Sequence, residues 1–318
     1  MVGKLSDDRL MSGSRVPVLY AWLVANEPHP YSTPNDELRQ SISAKSGTYK
    51  RGQVAHMEAA YCGNLFESTI ALDVCDEFGL PAPELSPSVY RSPDGGWQCS
   101  ADAIVELETP IKVFATETVE IDGENAMDTS FVDLIGNIPI EVKTTESPYI
   151  GQVPLWRGPV QLQMQMMAVD AKFGIVATVH RGNLRHYKIY RANPFMQQKI
   201  TEICMDFRAR VISETFYPPV NVDDCSKTHL GGNTDPIELH RIHEEVERLV
   251  QLRKESKDIA DEIAALQTKI MQEMQDNEVA IAGEYQVKWP TRHYKAQPAK
   301  VTPAKESRIV RLKTLQIK

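Results

Sequence analysis

Four stretches of the 318-residue chain carry residue types that could act together on a phosphate. In Ile138-Pro-Ile-Glu-Val-Lys-Thr-Thr145 the residues alternate by two. Ile138, Ile140 and Val142 therefore face one side of a strand, while Glu141 and Lys143 leave the other as a carboxylate beside an ammonium. Taken alone the pair reads equally as exposed charge on an edge strand, just as Glu255-Ser-Lys257 reads as surface charge on a helix. Asp102, in Gln98-Cys-Ser-Ala-Asp-Ala-Ile104, is an acid in a strand-like stretch, where chains avoid Asp unless it closes a turn or serves a site. Glu67 follows Gly63-Asn-Leu-Phe among core-like neighbours, either a boundary glutamate on a half-buried helix or a third acid. Gln161, Gln163 and Gln165 crowd a helix rich in Met and Val, either as amides needing partners near an apolar face or as the polar side of an amphipathic helix.

Convergence of the three acids would carry a penalty. Two carboxylates about 4 Å apart repel by roughly 4 kcal/mol at an effective dielectric near 20, so the group must protonate or share a cation. No His or Cys accompanies these acids, which selects a hard, oxygen-seeking ion such as Mg²⁺. Such an ion activates water and cancels phosphate charge while Lys143 adds a second cation, so the expected reaction is phosphodiester hydrolysis.

These residues need a scaffold of alternating helices and strands. Residues 54 to 78 lack Pro, have Gly63 as their one glycine, and place Leu65, Phe66, Ile70 and Val74 at helical spacing. Strands are expected over Trp97 to Leu107, Lys112 to Ile121 and Asp133 to Thr145, then a Pro-containing loop, a helix over Val160 to Ala171, and a hairpin pairing Gly174 to His180 with Arg185 to Tyr190. That order predicts an α/β core. From Ile237 to Ala282 there is no Gly or Pro, and Ile259, Ile263, Leu266 and Ile270 step four and three apart, as in a helix that packs on another helix. This predicts either one long helix, roughly 70 Å at 1.5 Å per residue, or a helical hairpin bending near Lys254 to Asp258. Glu284 to Trp289 and Arg308 to Leu312 read as short strands.

In order and spacing, Gly-x-x-x-Glu (Gly63, Glu67), Cys-Ser-x-Asp (Asp102), Glu-x-Lys (Glu141, Lys143) and Gln-x-Gln-x-x-Met (Gln161, Gln163, Met166) resemble the phage lambda exonuclease and YqaJ viral recombinase family of PD-(D/E)XK nucleases, over roughly residues 9 to 215. The resemblance implies a restriction-endonuclease-like mixed sheet flanked by helices, with the long helix and a small β segment as a C-terminal extension. It implies that Glu67, Asp102 and Glu141, with Val142, surround two Mg²⁺ or Mn²⁺ ions, that Lys143 orients the attacking water, and that Gln163 and Gln161 buttress the site. Met11-Ser-Gly-Ser-Arg15 is similar to the family's phosphate-holding entry segment, which assigns Ser12, Ser14 and Arg15 to DNA. The implied activity is resection of linear duplex DNA from 5′ ends to expose 3′ single strands, with a single-strand annealing protein as partner and a ring-like trimer as assembly. The sequence departs from the pattern at Ala103, where Gly is common, and in its C-terminal third, which has no counterpart in the compact lambda enzyme. An endonuclease of the same superfamily and a non-catalytic DNA-binding scaffold are the rival functions.

Composition bounds the rest. Hydrophobic residues make up 42% and charged residues 25%, which excludes collagenous and disordered classes. Five cysteines without a C-x-x-C pair argue against a disulfide framework and a structural zinc site, and MVGKLSDDRL lacks the apolar core of a signal peptide, so a reducing cytoplasm and no membrane span are expected. The net charge of −8 conceals a split. Residues 286 to 318 hold nine basic residues against Glu306, net +8, which leaves −16 on residues 1 to 285. A basic tail on an acidic body suits a polyanion or simply aids solubility. Lys288, Arg292 and Lys295 are the tail cations expected at DNA, and Trp156 and Arg157 suit gripping a DNA end or pinning their own loop. The expected organisation is a nuclease core over 1–220, a long helix or helical hairpin over 236–282, and a basic segment over 283–318.

Overall fold

In the computed structural model the described residues are 7–49, 57–114, 131–147, 153–228 and 236–290. The chain divides into two compact units, residues 1–228 and 229–318. The first unit runs β1 (Met11–Ser12), α1 (Val16–Leu23), α2 (Pro34–Lys45), α3 (Met57–Phe78), β2 (Glu84–Leu85), β3 (Tyr90–Arg91), β4 (Trp97–Cys99), β5 (Ala103–Val113), β6 (Val132–Thr145), α4 (Pro159–Val169), β7 (Phe173–His180), β8 (Leu184–Arg191), α5 (Pro194–Ser213) and α6 (Val222–Thr228).

Its main sheet has the order β2-β5-β6-β7-β8. β6 and β7 are parallel and every other neighbour is antiparallel, so the sheet is mixed. β6 is the central strand, and α4 makes the crossover that a parallel β6–β7 pair requires. Alternation along β6 sends Ile138, Ile140 and Val142 into a core with Ala71 and Val74 of α3. On the opposite face Val176 and Tyr190 pack with Leu162 and Met166 of α4, and α4 packs in turn with α1 and α5 through Val160, Met164, Leu19, Ile200 and Phe207. The sheet is thus covered on both faces, the arrangement expected from the sequence.

Local chemistry sets the helix positions. Thr33 and Asp36 form a capping box at the start of α2, followed by Pro34 at the first helical position. α4 begins at Pro159 after Gly158, whose φ of +112° is open only to glycine. A Cβ there would also lie 2.9 Å from Val176 Cγ1. At Gly174 a Cβ would stand 2.8 Å from Leu162 Cδ1, so the missing side chain is what lets α4 approach β7.

Three expectations change. The strand foreseen over Trp97 to Leu107 is interrupted at residues 100–102: β4 joins a separate small sheet with β1 and β3, while β5 joins the main one. The acid at Asp102 sits at this break. Of the strand expected over Lys112 to Ile121, Lys112 and Val113 end β5, and residues 115–121 lie outside the described residues. In the second unit a 3₁₀ turn (His240–Ile242) leads into α7 (His243–Met274), a single helix that continues unbroken through 254–258. The helix stops short of Ala282, because Val279–Ala282 forms β9, which pairs antiparallel with β10 (Tyr285–Lys288) across Gly283. The β-branched and small residues of Val279-Ala-Ile-Ala suit a hairpin closed by that glycine. The strand expected over Arg308 to Leu312 lies outside the described residues. No helix among the described residues is long and apolar enough to cross a membrane.

Candidate active site

The central position of β6 excludes the edge-strand reading of Glu141, whose side chain is 1% exposed. Glu141 and Lys143 leave β6 on the face covered by α4, as alternation requires. Lys143 Nζ pairs with Glu141 Oε1 and donates to Gln161 Oε1 at 3.1 Å. The second Glu141 oxygen accepts from Gln165 Nε2, which also donates to the Ser100 carbonyl at 2.9 Å. One turn of α4 therefore supplies an amide to each member of the ion pair.

Asp102 reaches the same place from the neighbouring strand. Its amide donates to the Ile140 carbonyl at 3.2 Å, and its Oδ2 accepts from Val142 N at 2.8 Å, at a point where β5 pairing has not yet begun. The carboxylate thus replaces a ladder partner, and the Val142 carbonyl leaves β6 on the same edge as its amide. Glu67, half-buried on α3, is within Coulomb reach of Lys143.

Burial, reinforced by the charge on Asp102, raises the Glu141 carboxyl to about 7 against the opposing pull of Lys143 and Gln165. Burial pulls the Lys143 ammonium down, but Glu141, Asp102 and Glu67 outweigh it, so Lys143 titrates above its ordinary value. Glu141 therefore experiences a deficit of positive charge that one lysine does not offset. The nearby Cys99 thiol is pushed up by burial and by the Glu141 charge, so it stays protonated and the donors left are oxygens; a hard divalent cation at Asp102, Glu141 and the Val142 carbonyl fits them in kind. The threefold acid convergence expected from the sequence is not formed: among the described residues no three His, Cys, Asp or Glu side chains are grouped closely enough to hold a metal ion. Two acids are coupled here, Asp102 with Glu141, and Glu67 acts on Lys143 from α3.

Gln163 does not face the site. Its Nε2 donates to the Arg191 carbonyl at 2.9 Å, and its Oε1 accepts from Asn193 N at 2.9 Å and Gln197 Nε2 at 3.2 Å, which ties α4 to the start of α5. The reason is helix geometry: Gln161 and Gln165 are four residues apart on one face, whereas Gln163 is turned away from both. Gln165 is the site residue that the motif reading passed over, and its spacing from Gln161 was the available signal.

Arg15 is likewise committed elsewhere. It is buried, pairs with Glu37 at 2.6 Å, donates to Ser41 Oγ at 2.9 Å and lies 5.4 Å over the Phe207 ring, so it ties α1 to α2 instead of holding DNA. Ser12 and Ser14, 3.1 Å apart, do sit beside the site. With Gly13, Gln98, Ser100 and Gln161 they line a pocket of about 100 Å³. Gln98 is buried, its Nε2 donates to the Asp7 carbonyl at 2.7 Å, and its Oε1 has no hydrogen-bond partner among the described residues. Trp156 is half-buried edge-on against His29 and Tyr31, Arg157 lies 4.7 Å over its ring, and Arg157 also donates to Thr145 Oγ1. The pair pins the loop before α4. Lys288 is exposed on β10 in the second unit, and Arg292 and Lys295 lie outside the described residues. Beyond Lys143, Thr145 leads into a groove of about 650 Å³ lined by Phe66, Ile70, Asp73, Arg185 and Tyr187, the last two both bonded to Asp73.

No family model matches the chain and no curated protein matches it in sequence. Among solved structures it is similar to an alkaline exonuclease from Laribacter hongkongensis, at a TM-score of 0.43 and 12% identity, covering 65% of this chain and 90% of that one. The same exonuclease in complex with dAMP matches at a TM-score of 0.43 and 13% identity, covering 65% of this chain and 89% of that one.

Proposed function

We propose that the chain is a Mg²⁺- or Mn²⁺-dependent deoxyribonuclease that resects linear duplex DNA from 5′ ends and leaves 3′ single strands for a single-strand annealing protein. The observation that carries this reading is the meeting, at the start of β5 and toward the C-terminal end of β6, of Asp102, Glu141 and Lys143 in contact with two amides of α4. Asp102, Glu141 and the Val142 carbonyl would hold the cation, with Glu67 as an outlying charge. The ion would supply activation of water and neutralisation of phosphate charge.

The protein's own groups have separate tasks. Lys143 stays protonated through neutral pH because the surrounding acids outweigh its burial. It therefore serves as a fixed cation and donor toward the negative charge that builds as water adds to phosphorus and the P–O bond breaks, and not as a base. Gln161 and Gln165 hold the ion pair in one orientation. The neighbouring pocket offers the hydroxyls of Ser12, Ser14 and Ser100 and the Gln161 amide with no carboxylate among its lining residues, which suits a phosphate group. The basic residues after Gln286 would add affinity by counterion release, so removal of 283–318 should flatten the salt dependence of DNA binding. The ring-like assembly implied by the resemblance belongs to this same proposal.

The test is incubation of the purified chain with end-labelled linear duplex and Mg²⁺ or Mn²⁺. Nucleotides should be released from 5′ ends, release should stop with a chelator, and Asp102→Ala and Lys143→Ala should abolish it. Equal release by those variants would overturn the assignment, and cutting of closed circular DNA would reassign the protein as an endonuclease.

A further inference from the structure

α7 is a 32-residue helix of which Met274 alone is buried among the described residues. Leu249, Leu252, Ser256, Ile259, Ile263, Leu266 and Ile270 follow one another at alternating steps of three and four, the a and d positions of a heptad. From Leu252 onward their apolar members are open to solvent, with Ile259 57%, Ile263 50% and Leu266 51% exposed, and Leu249 is half-buried. A helix of this kind owes most of its stability to covering its apolar face, so a stripe this long requires a partner.

We infer that the partner is a second copy of the same helix, running antiparallel, in a two-fold symmetric dimer. The charges beside the seam choose the orientation. In a parallel pair the flanking residues would set Arg248 against Arg253 of the second copy, twice, and no opposite charges would meet: Glu255 would face Ala260, Glu262 would face Gln267 and Lys269 would face Met274. In an antiparallel pair with Ile259 facing Ile263 of the second copy, Leu252 meets Ile270 and Ser256 meets Leu266. Glu255 then lies opposite Lys269 of the second copy on both sides of the axis, with the two Glu262 side chains facing each other at its centre in solvent. The interface is isologous and closes at two chains. It rests on α7 alone and is independent of the nuclease reading.

The experiment is sedimentation of the full chain beside the Ile259→Lys/Ile263→Lys variant. The unaltered chain should have an even multiple of the 35.8 kDa monomer mass and the variant half of that mass. Identical masses would overturn the proposal. Orientation is read separately by disulfide trapping in a Cys62→Ser/Cys225→Ser background, since Cys225 is the exposed thiol among the cysteines whose side chains are described and Cys62 lies outside them. A mixture of Ile259→Cys and Ile263→Cys chains should cross-link into a dimer on mild oxidation, and neither chain should do so alone. Cross-linking of each single variant with itself would establish the parallel arrangement, and absence of any cross-link would remove the pairing altogether.

Discussion

α4 and α7 both carry apolar residues at helical spacing, yet they use them in opposite ways. α4 lies between the sheet and two other helices, and Val160, Leu162, Met164 and Met166 are all buried. Its amides are consequently held against fixed partners, so Gln161 and Gln165 can orient Lys143 and Glu141. α7 leaves Leu252, Ile259, Ile263, Leu266 and Ile270 in solvent. Burial on several sides makes a helix a mount for side chains, whereas a single exposed stripe makes it a surface for another chain.

The contrast can be broken most strongly at the site that α4 supports. Asp102→Ala should lower the rate of nucleotide release by at least ~10²-fold, measured with end-labelled duplex, while leaving the far-ultraviolet circular dichroism unchanged. Gly158→Val should cost on the order of 3 kcal/mol in chemical denaturation, because it combines a φ of +112° with an approach of 2.9 Å to Val176 Cγ1; an unchanged midpoint would mean that α4 is not pressed against the sheet.

A pH effect of similar size is expected for the metal-free chain. The Glu141 carboxyl is raised by burial and by Asp102 to about 7, so the folded state binds this proton more tightly than the unfolded state. Its contribution is full below the ordinary carboxyl range and falls as pH rises from about 4.5 to 7, by an amount on the order of 3 kcal/mol. Denaturation series across that range should show the decline, and Glu141→Gln should flatten it.

Smaller effects sharpen the comparison. Gln165→Leu should lower activity about 10- to 100-fold by freeing Glu141. Gln163→Leu should keep the activity but lose about 1–3 kcal/mol of stability, through unpaired groups at Arg191 and Asn193. If Gln163→Leu were the inactive variant, the facing of α4 described above would be wrong. Least of all, Ile259→Ala should change the unfolding free energy of the first unit by no more than about 0.5 kcal/mol, with its consequence confined to the mass of the assembly.

Much of this is legible in the sequence. Strict alternation in 138–145 set which side of β6 carries Glu141 and Lys143, and the same pattern put Ile138 and Ile140 into the core. The place of Ser12 and Ser14 beside Gln161 was also readable, but the commitment of Arg15 in the same segment was not, because Glu37 and Ser41 that capture it come from another helix. The three-acid grouping was only partly readable, since distance between α3 and β6 is not written in the order of motifs. In the C-terminal third the absence of Gly and Pro correctly suggested a long helix but overran its end, because Val279–Ala282 gains more from pairing across Gly283 than from another helical turn.

The sequence by itself determined the periodic facts: which residues share a face of β6, which residues of α7 form one stripe, and where proline and glycine punctuate the chain. Tertiary structure decided everything that depends on approach. It made β6 a central strand, so that Glu141 is desolvated and raised, and it closed the gap beyond β5 with the Asp102 carboxylate. It also turned Gln165 toward the site and Gln163 away from it. Periodicity is a property of the local backbone, whereas burial and charge coupling depend on distances across the fold, and those are fixed only when the helices close over the sheet.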